Sequence, residues 1–266
     1  MSNKKLALIT GASNGIGFEL AKLFAKDDYD LLLVSRGQEK LEAAKKELAI
    51  FNVSITTFAA DLSKYDDIIR LKAWVEQQGY IINALVLNAG QGYGGDFLQK
   101  TELARELELI RLNVDSYVHL SKLFIKDLVR RNEGSVLMTS SVSGTAPIPY
   151  EAVYGASKAF VNSFFYALRN EIKTTNIKMT LLMPGATETN FFKNADMAET
   201  KVGSMKKDDP AEVAYRGYYA LMSGHEYAYG SDEVEYEGDV LNRIQSESQK
   251  AQRHRLISHP DSTLNK

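Results

Sequence analysis

Short apolar runs alternate with longer amphipathic segments along most of this chain, and that alternation limits the fold to very few architectures. The runs Leu6–Thr10, Asp30–Ser35, 53–60, 82–88, 135–141 and Lys178–Met183 read as buried strands of about five to eight residues. Helical periodicity fills the intervals at 16–26, 39–51, 66–78, 102–131 and 152–174. Strand followed by helix followed by strand implies right-handed crossovers, hence an α/β fold with a doubly wound parallel sheet between two helix layers. A length of 266 residues would accommodate one or two domains at roughly 150 residues each. No linker, repeat or low-complexity stretch divides it, so a single three-layer α/β/α domain over residues 1–266 is expected.

Two regions leave the alternation. Residues 189–209 are polar and irregular, and they end at Asp209-Pro210, a helix-start signal. A loop that long in a compact domain is usually functional or disordered, and it is read as a lid-like substrate-loop insertion. Residues 233–266 read as a charged C-terminal helical tail whose basic cluster at 250–255 is expected to be solvated.

Composition removes several function classes. The absence of cysteine excludes disulfides, thiolate metal sites and a cysteine nucleophile, and no metal is expected. Lys+Arg 32 against Asp+Glu 34 leaves a net charge of −2, without the basic surplus that nucleic-acid binding uses. After Lys4 and Lys5 the run Leu6-Ala7-Leu8-Ile9 is shorter than the roughly 7–15 apolar residues of a secretory signal. No run approaches the ~18 apolar residues of a membrane span. The expectation is a cytoplasmic protein with no membrane and no nucleic-acid partner.

The first strand runs into Thr10-Gly11-Ala12-Ser13-Asn14-Gly15-Ile16-Gly17 and then a helix. Glycines let a backbone turn tightly against a pyrophosphate, and the helix start offers free N–H groups and a positive dipole end. This points to a Rossmann-type dinucleotide loop with G-x-x-x-G-x-G spacing. The same residues also satisfy G-x-S-x-G, the nucleophile elbow of a serine hydrolase, with Ser13 as nucleophile. An elbow on the first strand has no preceding strand to complete an oxyanion hole, so this alternative is the weaker one.

Later residues decide between them. Tyr154 and Lys158 stand four apart, on one helix face. A neighbouring cation lowers the pKa of a phenol, which would fit Tyr154 as general acid for a carbonyl or base for an alcohol. Tyr150 has no lysine at that spacing. Ser140 and Ser141 end a buried strand at the carboxyl edge, where open parallel sheets bind ligands, and Asn88-Ala89-Gly90 ends another there. Gly90, Gly92, Gly94 and Gly95 read as a mobile loop.

With these motifs in order, the chain resembles the short-chain dehydrogenase/reductase family, in its shorter single-domain branch, from Lys5 to about Thr189. The resemblance implies that Gly11, Ser13, Asn14, Gly15, Ile16 and Gly17 form the cofactor loop, with Asp61 and Leu62 beside the adenine. It assigns Asn88, Ala89 and Gly90 to the N-A-G motif, and Pro184, Gly185, Thr187 and Thr189 to the segment beside the nicotinamide. Asn113, Ser141, Tyr154 and Lys158 become the catalytic set. Asn113 would hold a proton-relay water, and Lys158 would also hold the nicotinamide ribose. Ser141 is preferred to Ser140 because it precedes Tyr154 by thirteen residues, as in relatives with this loop length. One departure is Leu87, where the family usually has a second Asn.

Cofactor choice turns on the end of the second strand. Ser35 occupies the place of the acidic residue that would bond the NAD ribose and repel a 2′-phosphate. Arg36 follows, able to fork onto that phosphate. NADP(H) is therefore expected, with NAD(H) as the lesser possibility. The implied activity is hydride transfer between NADP(H) and a small-molecule carbonyl or secondary alcohol. The alternative is a catalytically silent NADP(H)-binding regulatory or scaffold protein; an extended-branch epimerase would carry a larger C-terminal domain. Pro147, Ile148, Tyr150, Phe191 and Phe192 either flank an apolar substrate or pack the loops. A homodimer or homotetramer through the helices at 102–131 and 152–174 is implied by the resemblance.

Overall fold

The Leu-rich strands of this chain carry side chains to both faces, as a sheet buried between two helix layers requires. The computed structural model describes residues 4–263; residues 1–3 and 264–266 of the expected 1–266 domain lie outside the described residues. Its seven strands are β1 (Leu6–Thr10), β2 (Asp30–Ser35), β3 (Ile55–Ala59), β4 (Ile82–Leu87), β5 (Ser135–Thr139), β6 (Lys178–Met183) and β7 (Tyr227–Tyr229). All pair in parallel in the order β3-β2-β1-β4-β5-β6-β7.

The period of two is visible in the cores. Leu8, Leu32, Val34, Leu85, Leu87, Val136 and Met138 pack on one side with the Tyr65–Gln77 helix, the helical stretch 103–131 and the Ala152–Glu171 helix. Ala7, Ile9, Leu31, Leu33, Ala84, Val86 and Leu137 pack on the other with the Gly15–Lys26, Gln38–Leu48 and Pro210–Ser223 helices. Three helices on each face give the expected three-layer, doubly wound Rossmann fold. Leu87 belongs to the first core, and its carbonyl accepts the Tyr117 hydroxyl at 2.9 Å.

The chain leaves β1 toward β2 and leaves β4 toward β5, in opposite directions along the sheet. The carboxyl ends of β1 and β4 therefore flank the switch point where such sheets bind ligands. Thr10 ties that point together: its Oγ1 donates to the Val86 carbonyl (3.2 Å) and accepts from the Asn88 (2.9 Å) and Ala89 (3.1 Å) N–H groups.

Several expectations need correction. β7 was not expected, because three residues are too few to make a periodic run. The stretch at 103–131 is helical but contains two π turns, Arg111–Asp115 and Ser121–Ile125. The 189–209 insertion contains two short helices, Phe191–Asn194 and Lys201–Ser204, and its base is pinned by a bridge between Thr187 and Asp208. Asp209 caps the next helix by accepting the Ala211 N–H at 2.8 Å, as its sequence signal implied.

The tail is broken rather than continuous. Helical turns from Asp232 to Ile244 stop at Gln245, whose backbone is extended, and Ser246 with Gln249 forms a capping box that starts the Glu247–Ser258 helix. Nor is the basic cluster simply solvated. Lys250 and His254 are buried, because their helix face turns inward onto the loop before Tyr154 and onto Glu237. Among the described residues no helix is long and apolar enough to cross a membrane.

Candidate active site

The β1 loop needs its glycines for two physical reasons. Gly11 (φ +67°) and Gly15 (φ +57°) occupy the left-handed region, and a Cβ on Gly17 would lie 2.4 Å from the Gly11 carbonyl oxygen. The Gly15–Lys26 helix starts at Asn14 without a side-chain cap, so its first N–H groups face outward as an anion site. Together these leave a cradle open to backbone N–H groups, which fits a dinucleotide pyrophosphate.

That cradle lies at one end of a cavity of about 1380 Å³, larger than the roughly 300–1,000 Å³ of a single small-ligand pocket. Of the residues expected there, Gly11, Ser13, Asn14, Gly15, Ile16, Ser35, Arg36, Leu62, Asn88, Ala89 and Gly90 line it. Ser141, Tyr154, Lys158, Pro184, Gly185, Thr187 and Thr189 line it as well. Gly17, Asp61 and Asn113 do not. Gly17 is packed beneath the loop, and the Asp61 carboxylate accepts from the Ser63 N–H (3.1 Å) and hydroxyl (2.7 Å). Ser13 makes no hydrogen bond to a histidine among the described residues, so the base that a hydrolase elbow requires is not at hand.

The two serines at the end of β5 separate by their partners. Ser140 Oγ donates to the Lys158 carbonyl at 3.1 Å, a helix-to-strand tie. Ser141 Oγ accepts the Ser143 N–H (3.1 Å), donates to the Pro184 carbonyl (3.3 Å) and faces the Tyr154 hydroxyl. Tyr154 and Lys158 are both buried on one face of the Ala152–Glu171 helix. Lys158 Nζ donates to the Thr139 carbonyl at 3.2 Å and stands 6.0 Å from the centre of the Tyr154 ring.

The electrostatics correct one expectation. Burial pushes the Tyr154 phenol well above the ordinary tyrosine value; a hydrogen bond with Ser141 opposes this and the Glu151 charge adds to it. Lys158 does not draw it down, since the same burial lowers the ammonium to about 8. Desolvation outweighs the attraction that spacing alone implied.

Asn113 sits in the Arg111–Asp115 π turn with no exposed surface. Its Nδ2 donates to the Gln91 carbonyl (2.9 Å) and to Ser157 Oγ (3.0 Å), and its Oδ1 accepts the Gln91 N–H (3.0 Å). Both amide protons are therefore committed, and a relay water would meet the remaining Oδ1 lone pair.

Two of the glycines after Asn88 stand where a side chain would clash. A Cβ on Gly92 would meet Phe191 at 2.6 Å and one on Gly94 would meet Met197 at 2.3 Å; the Gly94 N–H donates to the Ala195 carbonyl. Ile148, Phe191 and Phe192 line the cavity, whereas Pro147 and Tyr150 do not; the Tyr150 ring packs on His259 instead.

Sequence reasoning missed Glu151, Glu237, His254 and Ser258 along the same cavity. Glu151 is buried, burial lifts its carboxyl to about 8, and its Oε1 has no partner among the described residues. Glu237 pairs with Arg253 (3.1 Å) and His254 (3.2 Å), which holds its carboxyl below the usual range despite burial. The capping box at Ser246 was readable beforehand; the inward turn of the helix after it was not.

The sequence profile described as "short chain dehydrogenase" matches residues 5–200. The mouse very-long-chain 3-oxoacyl-CoA reductase is 33% identical over 228 residues, covering 81% of this chain and 72% of that protein. The short-chain dehydrogenase of Sphingobium yanoikuyae in complex with NADPH superposes with a TM-score of 0.81 at 27% identity, covering 90% of this chain and 92% of that one. An alcohol dehydrogenase from the archaeon Thermococcus sibiricus complexed with 5-hydroxy-NADP gives 0.73 at 27% identity, covering 85% and 96%.

Proposed function

The chain belongs to the short-chain dehydrogenase/reductase family, oxidoreductases that interconvert C–OH and C=O by hydride transfer, and from that premise we propose an NADP(H)-dependent carbonyl reductase or secondary-alcohol dehydrogenase with Tyr154 as general acid/base. The observation that carries this reading is that Ser141, Tyr154 and Lys158 line one cavity whose other end is the Gly11–Asn14–Gly15 cradle.

A nicotinamide cofactor held here would supply the hydride, or the place for it in the reverse direction. This chain's residues supply the rest. The backbone N–H groups at the start of the Gly15–Lys26 helix would hold its pyrophosphate, Asn88–Gly90 and Pro184–Thr189 would flank its ribose and nicotinamide, and Leu62 would border its adenine. The Ser141 hydroxyl orients the substrate oxygen. The Tyr154 hydroxyl gives its proton to that oxygen as charge develops there, or takes it back in the reverse direction. A phenol held above its ordinary value is fully protonated at neutral pH, the state an acid toward a carbonyl needs. Lys158, at about 8, both gives and accepts a proton near neutrality and can restore the phenol through an Asn113-bound water.

For the cofactor, Ser35 and Arg36 support NADP(H): no carboxylate ends β2, and the Arg36 guanidinium lines the cavity, 3.6 Å from Glu108. The apolar walls at Ile148, Phe191 and Phe192 support a substrate with an apolar body, consistent with the acyl substrate named for the mouse relative. Exposed Leu103, Leu107, Phe160 and Tyr166 on the helices flanking the site support a homo-oligomer, which light scattering would test.

The deciding experiment is Tyr154→Phe, assayed for NADPH oxidation across a carbonyl panel with NADPH binding measured separately. Turnover is expected to fall by about 10²–10⁴-fold with binding retained. Full turnover in the variant would refute the assignment, and tight NADPH binding by a wild-type protein that turns over nothing would make it a sensor.

A further inference from the structure

Along the Ala152–Glu171 helix and its start, Glu151, Tyr154 and Lys158 follow one another at spacings of three and four residues. They therefore lie in a row on one helix face. Lys158 is at the sheet end of that row, bonded to the Thr139 carbonyl. Glu151 is at the opposite end, beside Ile148, whose carbonyl accepts the Glu151 N–H at 3.2 Å. Both Glu151 and Ile148 line the cavity with Tyr154.

Glu151 is 6% exposed, and no described group hydrogen-bonds its carboxyl; Oε1 is fully buried and unpaired. Its main chain is satisfied, since its carbonyl accepts the Gly155 N–H at 2.9 Å. The helix start does not need the side chain either, because Glu151 makes no side-chain capping bond. Buried polar groups are almost always bonded, so an unpaired carboxyl on a residue that borders a reaction cavity asks for its partner in what enters that cavity.

We propose, on the carbonyl-reductase reading above, that Glu151 is a substrate-specificity residue that hydrogen-bonds a hydroxyl three or four bonds from the reacting carbonyl, so that hydroxyketones and the matching diols are preferred to plain alkyl ketones. The span follows from the spacing: side chains three residues apart along a helix start are neighbours, roughly 5–6 Å apart at their Cβ atoms, so the second polar group lies about one side-chain spacing from the oxygen held by Tyr154. The choice of a hydroxyl follows from charge. A carboxyl that burial keeps protonated up to about pH 8 offers one donor and one acceptor, as a hydroxyl does. An ammonium would need the carboxylate and would be stripped of water among Ile148, Phe191 and Phe192.

The test compares 4-hydroxybutan-2-one with pentan-2-one, which differ by a hydroxyl in place of a methyl. Affinity is read by calorimetry with NADP⁺ present, where no turnover occurs, and kcat/KM is read with NADPH. The wild-type protein is expected to favour the hydroxyketone about tenfold in both measurements. Glu151→Gln, which keeps a donor and an acceptor, is expected to retain the preference, and Glu151→Leu to bring the ratio to about one or below. Each ratio is taken within one variant, so a general loss of activity does not disturb it. A wild-type protein that does not distinguish the two ketones overturns the inference, as does an unchanged ratio in Glu151→Leu. If Tyr154→Phe still reduces both ketones, the reading of the site falls; if it does not and the ratio stays fixed, only the role of Glu151 falls.

Discussion

The Asn113 amide nitrogen donates to Ser157 Oγ at 3.0 Å and so joins the Arg111–Asp115 π turn to the helix that carries Tyr154 and Lys158. The same side chain closes on both backbone groups of Gln91. Asn113 thus ties the loop after β4 to two helices, and π turns recur at functional sites for this kind of adjustment.

Asn113→Leu keeps the volume and removes all three bonds. It strands the Gln91 N–H and C=O in a largely buried place, at roughly 1–3 kcal/mol for each unsatisfied group, whereas the Ser157 hydroxyl keeps its donated bond to the Tyr154 carbonyl at 2.7 Å. A loss of about 3 kcal/mol in urea unfolding is expected, and Ser157→Ala should cost less. If the double variant loses as much as the sum of the singles, the two side chains are not coupled and the tie described above is not energetic.

Cofactor selection follows from what ends β2. Removing the guanidinium in Arg36→Ala is expected to lower kcat/KM with NADPH by about 10- to 100-fold, the worth of a charge-assisted phosphate contact, while NADH changes little. Ser35→Asp places a carboxylate where it repels a 2′-phosphate and bonds a ribose hydroxyl, so the ratio should move further toward NADH. Steady-state kinetics with both cofactors decides the matter. Comparable efficiency of the wild type with the two would remove the NADP(H) assignment.

Most of the sheet and the glycine turn after β1 were legible beforehand because they depend on local rules: strand length, glycine spacing, and a cap such as Asp209-Pro210. What was not legible depends on tertiary burial. Lys250 and His254 look like solvated charges until their helix packs onto Thr145 and Glu237. Glu151 looks like an ordinary acidic residue at a helix start. Burial pushes the Tyr154 phenol up, and spacing reveals the neighbouring cation but not that desolvation.

The tail holds the loop that leads into Tyr154. Ser258 Oγ donates to the Pro149 carbonyl at 2.7 Å, Lys250 Nζ to the Thr145 carbonyl at 3.5 Å, and the His259 ring packs edge-on against Tyr150, whose φ is +63°. Truncation after Gln245 removes all three. Because small misplacements of a reacting group cost up to about 10²-fold, kcat is expected to fall by 10- to 100-fold. The Gly11–Gly15 cradle is remote from these contacts, so the NADPH dissociation constant should stay within about threefold. Equal losses in both quantities would place the tail in cofactor binding instead.

Glu151 makes stability depend on pH in a defined direction. Burial raises its carboxyl from 4.5 in the unfolded chain to about 8 in the folded protein, so between those values the folded state binds the extra proton. Stability associated with this group is fully present below pH 4.5 and is lost as pH rises through 8. Lys158, lowered from 10.5 to about 8, acts oppositely and only above pH 8, where the unfolded chain binds the extra proton. Glu151→Gln imitates the protonated carboxyl at every pH and leaves the lysine in place, so the difference between variant and wild type isolates Glu151. The two should unfold alike near pH 4.5, and the variant should become the more stable from there to pH 8. The gap should reach a few kcal/mol, because each tenfold change in proton affinity is worth about 1.4 kcal/mol. At about 2–4 °C per kcal/mol for a chain of this size, scanning calorimetry should show Tm values diverging by several degrees at pH 8. Parallel Tm profiles for the two proteins across that range would mean that the carboxyl is solvated in the folded state, and its burial beside Tyr154 would have to be abandoned.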